Sequence, residues 1–256
     1  MRLTNRTILI TGGTSGIGLE LARQLIARGN TVIVTGRDRA RLDAALRAVP
    51  GTHGFQNDVG DPAAIVDLHA RVLQQFPTLD VLINNAGIMR NLKLQQPRDL
   101  MDITREIEIN LSGPVRMTQQ FLPHLLRRTD AAIVNVSSGL AFIPFTPAPI
   151  YSATKAAMHA YTQTLRAQLQ GTGVTVIELA PPGVETPLFR GEFAEETKGQ
   201  TPMPVGELVR RAIAGMEAGA LELRPGLSNV LRIMSRVAPG FMFHQLTRMS
   251  RPKPAR

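Results

Sequence analysis

Short runs of β-branched and other apolar residues recur along the first 180 positions of the chain. They read TILIT from residue 7, TVIVT from 31, VLINN from 81, AAIVNVS from 131 and VTVIEL from 174. Strands that are apolar on both faces are typical of a parallel sheet covered by helices on both sides. The pattern therefore predicts a parallel sheet rather than a half-exposed antiparallel one.

The stretches between these strands carry apolar residues at helical intervals and predict connecting helices. The predicted helices cover residues 17–28, 40–48, 63–76, 99–127 and 152–169, and a further strand ends at Asp58-Val59. Parallel strands joined by helices form right-handed crossovers and bind ligands at the carboxyl ends of the strands. The predicted fold class is α/β, a doubly wound parallel sheet (Rossmann fold) in a single domain.

Four features are predicted beyond the strand that begins at residue 174. Residues 187–204 are rich in Gly, Pro, Thr and charged residues, which indicates a mobile lid over the crevice or a plain surface loop. Residues 205–217 predict a helix, and residues 221–223 predict a short edge strand. Residues 227–249 predict a basic amphipathic segment that is broken at Pro239-Gly240.

The composition predicts a soluble, cytoplasmic protein. Apolar residues make up 43% of the 256 positions, enough for a substantial core. The chain has no cysteine, and its five histidines show no metal-ligand spacing, so we predict no metal. Apolar residues from Ile8 onward leave no room for a signal peptide, and no apolar run reaches the roughly 18 residues that a bilayer requires. No G-x-S-x-G motif is present, which counts against an α/β-hydrolase.

The positive charge is concentrated near the C-terminal end of the sequence. The net charge is +9, but residues 224–256 contain seven Lys or Arg and no Asp or Glu, which leaves +2 for the first 223 residues. This distribution, with two tyrosines and no tryptophan, disfavours nucleic-acid binding. Apolar residues recur there at helical intervals: Val230, Leu231, Met234, Val237, Ala238 and Phe241. They predict a helix that packs over the functional site or a neighbouring subunit, or one that makes weak contact with a membrane surface.

A glycine-rich loop, TGGTSGIG at residues 11–18, follows the first strand directly and opens the first predicted helix. Exposed backbone N–H groups and the helix dipole favour a phosphate there, and glycine lets a ligand approach the backbone closely. The spacing is TGxxxGxG rather than GxGxxG. Because the loop lies between a strand and an amphipathic helix, it predicts a nucleotide site.

Tyr151 and Lys155 share one helix face in YSATK, thirteen residues after Ser138. Free tyrosine ionises near pH 10, so its use as an acid or base near pH 7 costs roughly 4 kcal/mol. The ammonium of Lys155 can lower that cost, and Ser138 can stabilise charge on a carbonyl oxygen. Ser137 competes with Ser138, but strand alternation predicts that the two side chains point in opposite directions. The constellation predicts carbonyl–alcohol redox chemistry.

Taken in order, these motifs resemble the short-chain dehydrogenase/reductase family, closely over residues 6–187 and more loosely to residue 226. The C-terminal arrangement is similar to that of DltE-like bacterial oxidoreductases. The resemblance implies a catalytic domain over residues 1–226 and a basic amphipathic extension of it over residues 227–256. It favours Ser138 over Ser137 and adds Asn110, which would distort its helix and hold a water near Lys155. It also implies a homodimer or homotetramer built through the helices at 99–127 and 152–169.

The resemblance further implies a nicotinamide cofactor. Its phosphates would meet the glycine loop through Gly12, Thr14, Ser15, Gly16, Ile17 and Gly18. About twenty residues further on, a carboxylate would bind the adenosine ribose. That place is Gly36, followed by Arg37, and a guanidinium without the acid favours NADP(H), with NAD(H) as the alternative. Asp38 is either the N-cap of the next helix or the ribose acid.

The resemblance assigns the remaining contacts to the ends of later strands. The implied cofactor contacts are Asp58 and Val59 at the adenine, Asn85, Ala86 and Gly87 along the backbone, Tyr151 and Lys155, and Pro182, Gly183, Val184 and Thr186 near the nicotinamide. Asn84 would brace the sheet, although a tight turn is the alternative interpretation of NNAG and the one favoured for Asn84. Met89, Leu140, Phe145 and Leu188 would line an apolar substrate pocket, which favours a lipophilic carbonyl compound or alcohol. Phe142 and Ile143 lie in the same stretch, where core packing is the alternative.

Two functions follow from these observations. The first is an NADP(H)-dependent oxidoreductase with Asn110, Ser138, Tyr151 and Lys155 as its catalytic residues. The second is a non-catalytic NADP(H)-binding sensor or scaffold whose basic tail reaches a partner or a membrane, peripherally at its inner surface. The presence of all four catalytic residue types favours the first function.

Overall fold

One parallel sheet organises the chain in the computed structural model, which describes residues 2–249. Its order is β3-β2-β1-β4-β5-β6-β7 within these residues. The strands are β1 (Thr7–Ile10), β2 (Thr31–Gly36), β3 (His53–Gln56), β4 (Leu79–Asn84), β5 (Ala131–Val136), β6 (Val174–Leu179) and β7 (Glu222–Leu223). The order reverses direction between β1 and β4, which creates a crevice at the carboxyl ends of these strands. The α/β fold class predicted from the sequence is confirmed.

Helices cover both faces of the sheet. They are α1 (Gly16–Ile26), α2 (Arg39–Ala48), α3 (Pro62–Gln75), α4 (Leu100–Ile103), α5 (Arg105–Ile107), α6 (Gly113–Leu125), α7 (Pro149–Gln168), α8 (Pro187–Arg190), α9 (Val205–Glu217), α10 (Leu227–Val237) and α11 (Pro239–Met249). A π-helical turn spans Glu108–Ser112, and a 3-10 turn spans Gly139–Ala141.

Strand residues alternate between two apolar cores. Ile8 and Ile10 of β1 pack on one side with residues of α1 and α9, while Leu9 packs on the other with residues of α3, α6 and α7. All three side chains are fully buried. A strand that is apolar on both faces is stable only between two helical layers, which explains the continuous apolar runs in the sequence.

The sequence was wrong about residues 99–127, which do not form one helix. The chain breaks at Thr104, and the π-helical turn joins α5 to α6. Pro114 lacks the N–H that an uninterrupted helix would use, which favours a change in the hydrogen-bonding pattern. A Cβ on Gly113 would lie 2.8 Å from the carbonyl oxygen of Val59, so this turn packs directly against the chain that follows β3.

The strand predicted to end at Asp58-Val59 ends instead at Gln56. The carboxylate of Asp58 accepts a hydrogen bond of 2.9 Å from the N–H of Gly60 and so closes a tight turn. A residue in such a turn cannot continue the ladder of the sheet. The turn places Asp58 and Val59 at the rim of the crevice.

The C-terminal segment forms two helices joined at Ala238, one residue before the predicted break. Helix α10 packs on the 3-10 turn, and a Cβ on Gly139 would lie 2.8 Å from the hydroxyl oxygen of Ser228. The segment therefore packs over the functional site, which is the first of the arrangements predicted for it. Residues 250–256 of the predicted extension lie outside the described residues, and the division of the chain at residue 226 stays a prediction.

Candidate active site

The glycine loop is held against the end of β4 by close backbone packing. Gly12 has φ of +66°, and a Cβ on it would lie 2.7 Å from the Cα of Ala86. The side-chain amide of Asn85 donates to the carbonyls of Thr11 and Gly12 at 2.9 Å and 3.0 Å. Asn85 therefore positions the loop, and glycine is required where the two backbones meet.

Gly18 lies behind the loop rather than along the crevice. A Cβ at this position would lie 2.3 Å from the carbonyl oxygen of Gly12 and 2.5 Å from the Nδ2 of Asn85. We expect Gly18→Ala to lower the free energy of unfolding by about 1–3 kcal/mol because the loop must shift. Gly240→Ala is the matched control, since nothing lies within 4 Å of that position. Denaturant unfolding of the two variants tests this, and equal midpoints would contradict the packing described.

The start of α1 offers uncapped N–H groups to the crevice. Ser15 occupies the N-cap position with an extended backbone, yet its side chain forms no capping hydrogen bond. The first-turn N–H groups and the helix dipole can therefore bind an anion. A groove of about 260 Å³ runs past this helix end. Its walls include Gly12, Thr14, Ser15, Gly16, Ile17, Arg37, Asp58, Val59, Asn85, Ala86, Gly87, Tyr151, Lys155 and Thr186, all of which were predicted cofactor contacts.

The end of β2 presents two arginines to the same groove. Arg37 and Arg41 both line it, both are exposed, and neither forms an ion pair with a described residue. Asp38 is the N-cap of α2, and its carboxylate accepts from the N–H of Arg41 at 2.9 Å. Of the two alternatives for Asp38, the N-cap is therefore what the structure contains. The sequence analysis missed Arg41, although its place one helical turn after Arg37 was a usable signal.

Tyr151 and Lys155 line the inner end of the groove, and Ser138 lies beside Tyr151. Tyr151 and Lys155 lie on the buried face of α7, and Ser138 lies two residues after the end of β5. The hydroxyls of Tyr151 and Ser138 are hydrogen-bonded to each other. The ammonium of Lys155 donates to the carbonyl oxygen of Val136 at 2.8 Å and lies 5.5 Å from the centroid of the Tyr151 ring.

Burial shifts both titratable groups toward their neutral forms. It raises the pKa of Tyr151 to about 12, against a smaller lowering by the Ser138 hydrogen bond and with a further raising by the negative charge of Glu106. Burial also lowers the pKa of Lys155 from 10.5 to about 8. At pH 7 the phenol of Tyr151 is therefore protonated. Lys155 is still mostly charged at pH 7, which lies only about one unit below its pKa.

The buried ammonium of Lys155 destabilises the fold below its pKa. Between pH 8 and 10.5 the unfolded chain binds the proton that the folded chain has released, so this cost disappears as pH rises through that window. We expect Lys155→Met to raise Tm near pH 7 by roughly 5 °C and to lose that advantage by about pH 10. Thermal unfolding of this variant and of Lys93→Met, at an exposed lysine, checks the prediction. A pH-independent difference would contradict the assigned cause.

Asn110 lies at the centre of the π-helical turn, so the predicted distortion of its helix is present. Its side-chain amide pairs with the backbone of Ile88, accepting from the N–H at 2.9 Å and donating to the carbonyl at 2.8 Å. A Cβ on Gly87 would lie 3.3 Å from the Oδ1 of Asn110 and 3.8 Å from the Nζ of Lys155. Asn110 therefore connects the chain that follows β4 to the π-helical turn, close to Lys155.

The two adjacent serines point in opposite directions, as strand alternation predicts. The hydroxyl of Ser137 donates to the buried carboxylate of Glu178, whose second oxygen lies 2.7 Å from the Nδ1 of His159. Ser138 instead meets Tyr151 and accepts from the N–H of Leu140 at 3.1 Å. Ser138 is thus the serine that faces the tyrosine.

Asn84 lies at the end of β4 and braces the sheet, as the resemblance implied, and is not part of a tight turn. Its side-chain amide donates to the Oδ1 of Asn135 at 2.9 Å and to the hydroxyl of Thr118 at 3.2 Å. These bonds connect β4 to β5 and to α6. Asn84 therefore stabilises the sheet below the site.

Glu106 is a buried charge that the sequence analysis missed. Its side chain has no solvent exposure, and burial raises the pKa of its carboxyl group. The N–H of Arg90 donates to one oxygen at 3.1 Å, and the Nε of Arg90 lies 3.7 Å from the other. Its negative charge opposes ionisation of Tyr151, which helps to keep the phenol protonated.

A second cavity of about 180 Å³ adjoins the groove at Tyr151 and is mostly apolar. Its walls include the four predicted pocket residues Met89, Leu140, Phe145 and Leu188, together with Ser138. Pro182, Gly183 and Val184, which were predicted to contact the cofactor, line this cavity and not the groove. The chain after β6 therefore forms the boundary between the two spaces.

The second cavity has further walls beyond the four predicted pocket residues. Leu231 of α10 belongs to the apolar residues that were predicted to pack over the site. Phe193, which is buried against Tyr151 and Ala148, and Leu246 of α11 were not found from the sequence. Phe193 is the one aromatic residue in the charged stretch EFAEETK at residues 192–198. An aromatic residue in such a stretch could have indicated a side chain that packs into the interior. The segment after α8 is thus packed against the site, while its motion as a lid stays a prediction.

Phe142 and Ile143 lie outside the cavity walls. The ring of Phe142 stacks edge-on against His159 at 5.1 Å, and the guanidinium of Arg232 lies 5.3 Å from its centroid. Ile143 is buried. Both residues therefore have a packing role, which was the alternative for this stretch.

Within residues 2–249 no group of three His, Asp or Glu side chains is arranged to hold a metal ion. No helix in the same part of the chain is both long and apolar enough to cross a bilayer.

Comparison with known proteins decides the family. A family model described as short chain dehydrogenase matches residues 6–197. The chain belongs to the short-chain dehydrogenase/reductase family. This dehydrogenase/reductase is 41% identical over 249 residues to the uncharacterized oxidoreductase DltE of Bacillus subtilis, covering 96% of this chain and 98% of that protein.

A second relative of this dehydrogenase/reductase and one solved structure are described with NADP or NADPH. The NADP-dependent 3-hydroxy acid dehydrogenase YdfG of Salmonella typhi is 34% identical over 199 residues, covering 76% of this chain and 80% of that one. A short-chain dehydrogenase from Sphingobium yanoikuyae, solved in complex with NADPH, superposes with a TM-score of 0.80 at 28% identity. The superposition covers 97% of this chain and 99% of that structure. The predicted family and enzyme class are confirmed.

Proposed function

We propose that the protein is an NADP(H)-dependent oxidoreductase that interconverts a carbonyl and a primary or secondary alcohol on a lipophilic small molecule. The observation that carries this proposal is the position of Tyr151, which lines both the groove and the apolar cavity. A group bound in the groove and a compound bound in the cavity would meet beside its hydroxyl. The hydrogen bond to Ser138 places a second hydroxyl at the same point.

The groove fits a dinucleotide with an additional phosphate. The uncapped end of α1 suits the pyrophosphate, and Arg37 with Arg41 suits a 2′-phosphate at the end of β2. Gly36 has no side chain at this place, and the carboxylate of Asp38 is engaged as the N-cap of α2. The relatives named as NADP-dependent or solved with NADPH support the same preference. When bound, the nicotinamide supplies or accepts hydride.

The residues of the chain manage the proton and the charge on the substrate oxygen. In the reductive direction Ser138 donates a hydrogen bond to the carbonyl oxygen, and the phenol of Tyr151 donates its proton as the alkoxide develops. The ammonium of Lys155 stabilises the resulting phenolate. Asn110 holds the surroundings of that lysine through Ile88.

The cavity favours an uncharged, lipophilic substrate. Leu140, Phe145, Phe193 and Leu231 provide apolar walls, and Ser138 and Tyr151 provide polar groups at one end. Burial of an anion against such walls would be costly without a cation beside it. We therefore expect ketones and aldehydes with apolar substituents to be better substrates than sugars or anions.

A spectrophotometric panel tests the proposal. We expect lipophilic ketones and aldehydes to cause oxidation of NADPH and, with lower affinity, of NADH. A protein that binds NADPH but turns over no member of the panel would favour the non-catalytic sensor or scaffold instead.

We also propose a cytoplasmic homodimer or homotetramer, and family membership supports the assembly. We propose that α6 and α7 form the subunit contacts. Light scattering of the purified chain tests the assembly, and a monomer would contradict it.

A further inference from the structure

The two C-terminal helices have a second face that the proposed active site does not use. Their inner side meets the apolar cavity through Leu227, Leu231 and Leu246. Their outer side exposes five large apolar residues, which we call the C-terminal apolar face: Val230, Ile233, Val237, Phe241 and Phe243. These side chains are 42–75% exposed, and they are five of the thirteen exposed large apolar residues in the described chain. Such a concentration marks an interaction surface.

The segment that carries this face is basic in sequence. Residues 224–256 contain seven Lys or Arg and no Asp or Glu. Arg236 and Arg248 are exposed and form no ion pair with a described residue, whereas Arg232 packs over the Phe142 ring. A complementary partner must therefore provide both apolar material and negative charge.

A second copy of this chain fits these requirements poorly. In a two-fold interface the same surface meets itself, so the arginines of one copy would face those of the other. The segment offers no carboxylate to compensate them. Like charges across an interface oppose association.

We propose that the C-terminal apolar face docks the protein onto an anionic membrane surface. Helices α10 and α11 have eleven residues each, about half of the roughly 20 that a membrane-spanning helix needs. A short amphipathic helix with basic residues lies in the interface, with its apolar side chains among the acyl chains and its cations at the headgroups. The docked helices would hold the mouth of the apolar cavity close to the lipid.

Vesicle co-sedimentation of the full chain tests this inference. We expect binding to vesicles of phosphatidylglycerol and phosphatidylcholine in equal parts to exceed binding to pure phosphatidylcholine by about fivefold or more. Raising NaCl from about 0.05 M to about 0.5 M should release the protein. Wild-type protein that stays in the supernatant with anionic vesicles overturns the proposal.

Variants separate the apolar and the charged contributions. Val237→Ser/Phe241→Ser/Phe243→Ser should lower the bound fraction about fivefold, whereas Leu100→Ser/Met101→Ser, which removes exposed apolar groups from α4, should not. Arg236→Gln/Arg248→Gln should weaken binding and reduce its salt dependence, whereas the exposed pair Arg127→Gln/Arg210→Gln should do neither. Equal losses in test and control variants overturn the proposal.

Folding and self-association are measured on the same samples. Circular dichroism identifies a variant that has not folded, in which case Phe241→Ser alone replaces the triple variant. Light scattering then examines the alternative occupant. A dimer that the apolar variant loses, together with no vesicle binding by the wild type, would assign the face to a second copy. Because vesicle binding needs no turnover, its failure leaves the proposed oxidoreductase function intact.

Discussion

Tyr151→Phe should lower kcat for carbonyl reduction by about 10²–10⁴-fold, the usual contribution of a positioned acid or base. The variant removes only the hydroxyl, and the ring keeps its buried place against Ala148 and Phe193. The affinity for NADPH should change by less than about twofold, because the variant removes no charge from the groove.

Tyr161→Phe is the matched control for this result. Tyr161 is the other tyrosine of the chain and lies on a different face of α7. Its hydroxyl forms a hydrogen bond with Thr118. Its loss should leave kcat within about twofold, because removal of one neutral hydrogen bond has a modest effect. Equal activity of the two variants would assign proton transfer to a group other than Tyr151.

Arg37→Ala/Arg41→Ala should weaken NADPH binding by about 10–100-fold and leave NADH binding within about twofold. A hydrogen bond to a charged group contributes about 1.5–3 kcal/mol, and only NADPH carries the additional phosphate. Fluorescence titration of the two cofactors measures both constants. The expected result is therefore a change in preference and not a general loss of binding.

Arg39→Ala is the control for charge. Arg39 lies between the two arginines in sequence, is exposed and pairs with Asp43 at 3.0 Å. Removal of the Arg39 side chain should lower the affinities for NADPH and NADH only slightly and by the same factor. A loss of NADPH affinity in the control that matches the double variant would show that net charge, and not a phosphate contact, sets the preference.

The sequence predicted the sheet well because both of its faces are buried. The runs at β1, β2, β4, β5 and β6 have no polar face, so their apolar character is continuous and easily recognised. The glycine loop, Ser138, Tyr151 and Lys155 were found because each motif has a fixed spacing within an element. The structure then brings these separated motifs to one crevice.

The features that were missed depend on contacts between distant parts of the chain. The resemblance implied a distorted helix at Asn110, but the packing of Gly113 against Val59 beside this turn is a contact that no local pattern reveals. The raised pKa of Tyr151 depends partly on Glu106, which lies 45 positions earlier in the sequence. The same holds for Leu246, whose place in the cavity wall requires α11 to fold back over the site.

The transfer of label from deuterated NADPH tests the central proposal most directly. Wild-type protein is incubated with NADPH deuterated at the nicotinamide C4 and with a panel of lipophilic ketones and aldehydes, and the products are analysed by mass spectrometry. The proposed function predicts an alcohol that carries deuterium on its carbinol carbon, formed by the wild type and by Tyr161→Phe and strongly reduced in Tyr151→Phe. Tight NADPH binding without a labelled alcohol from any carbonyl compound would contradict it.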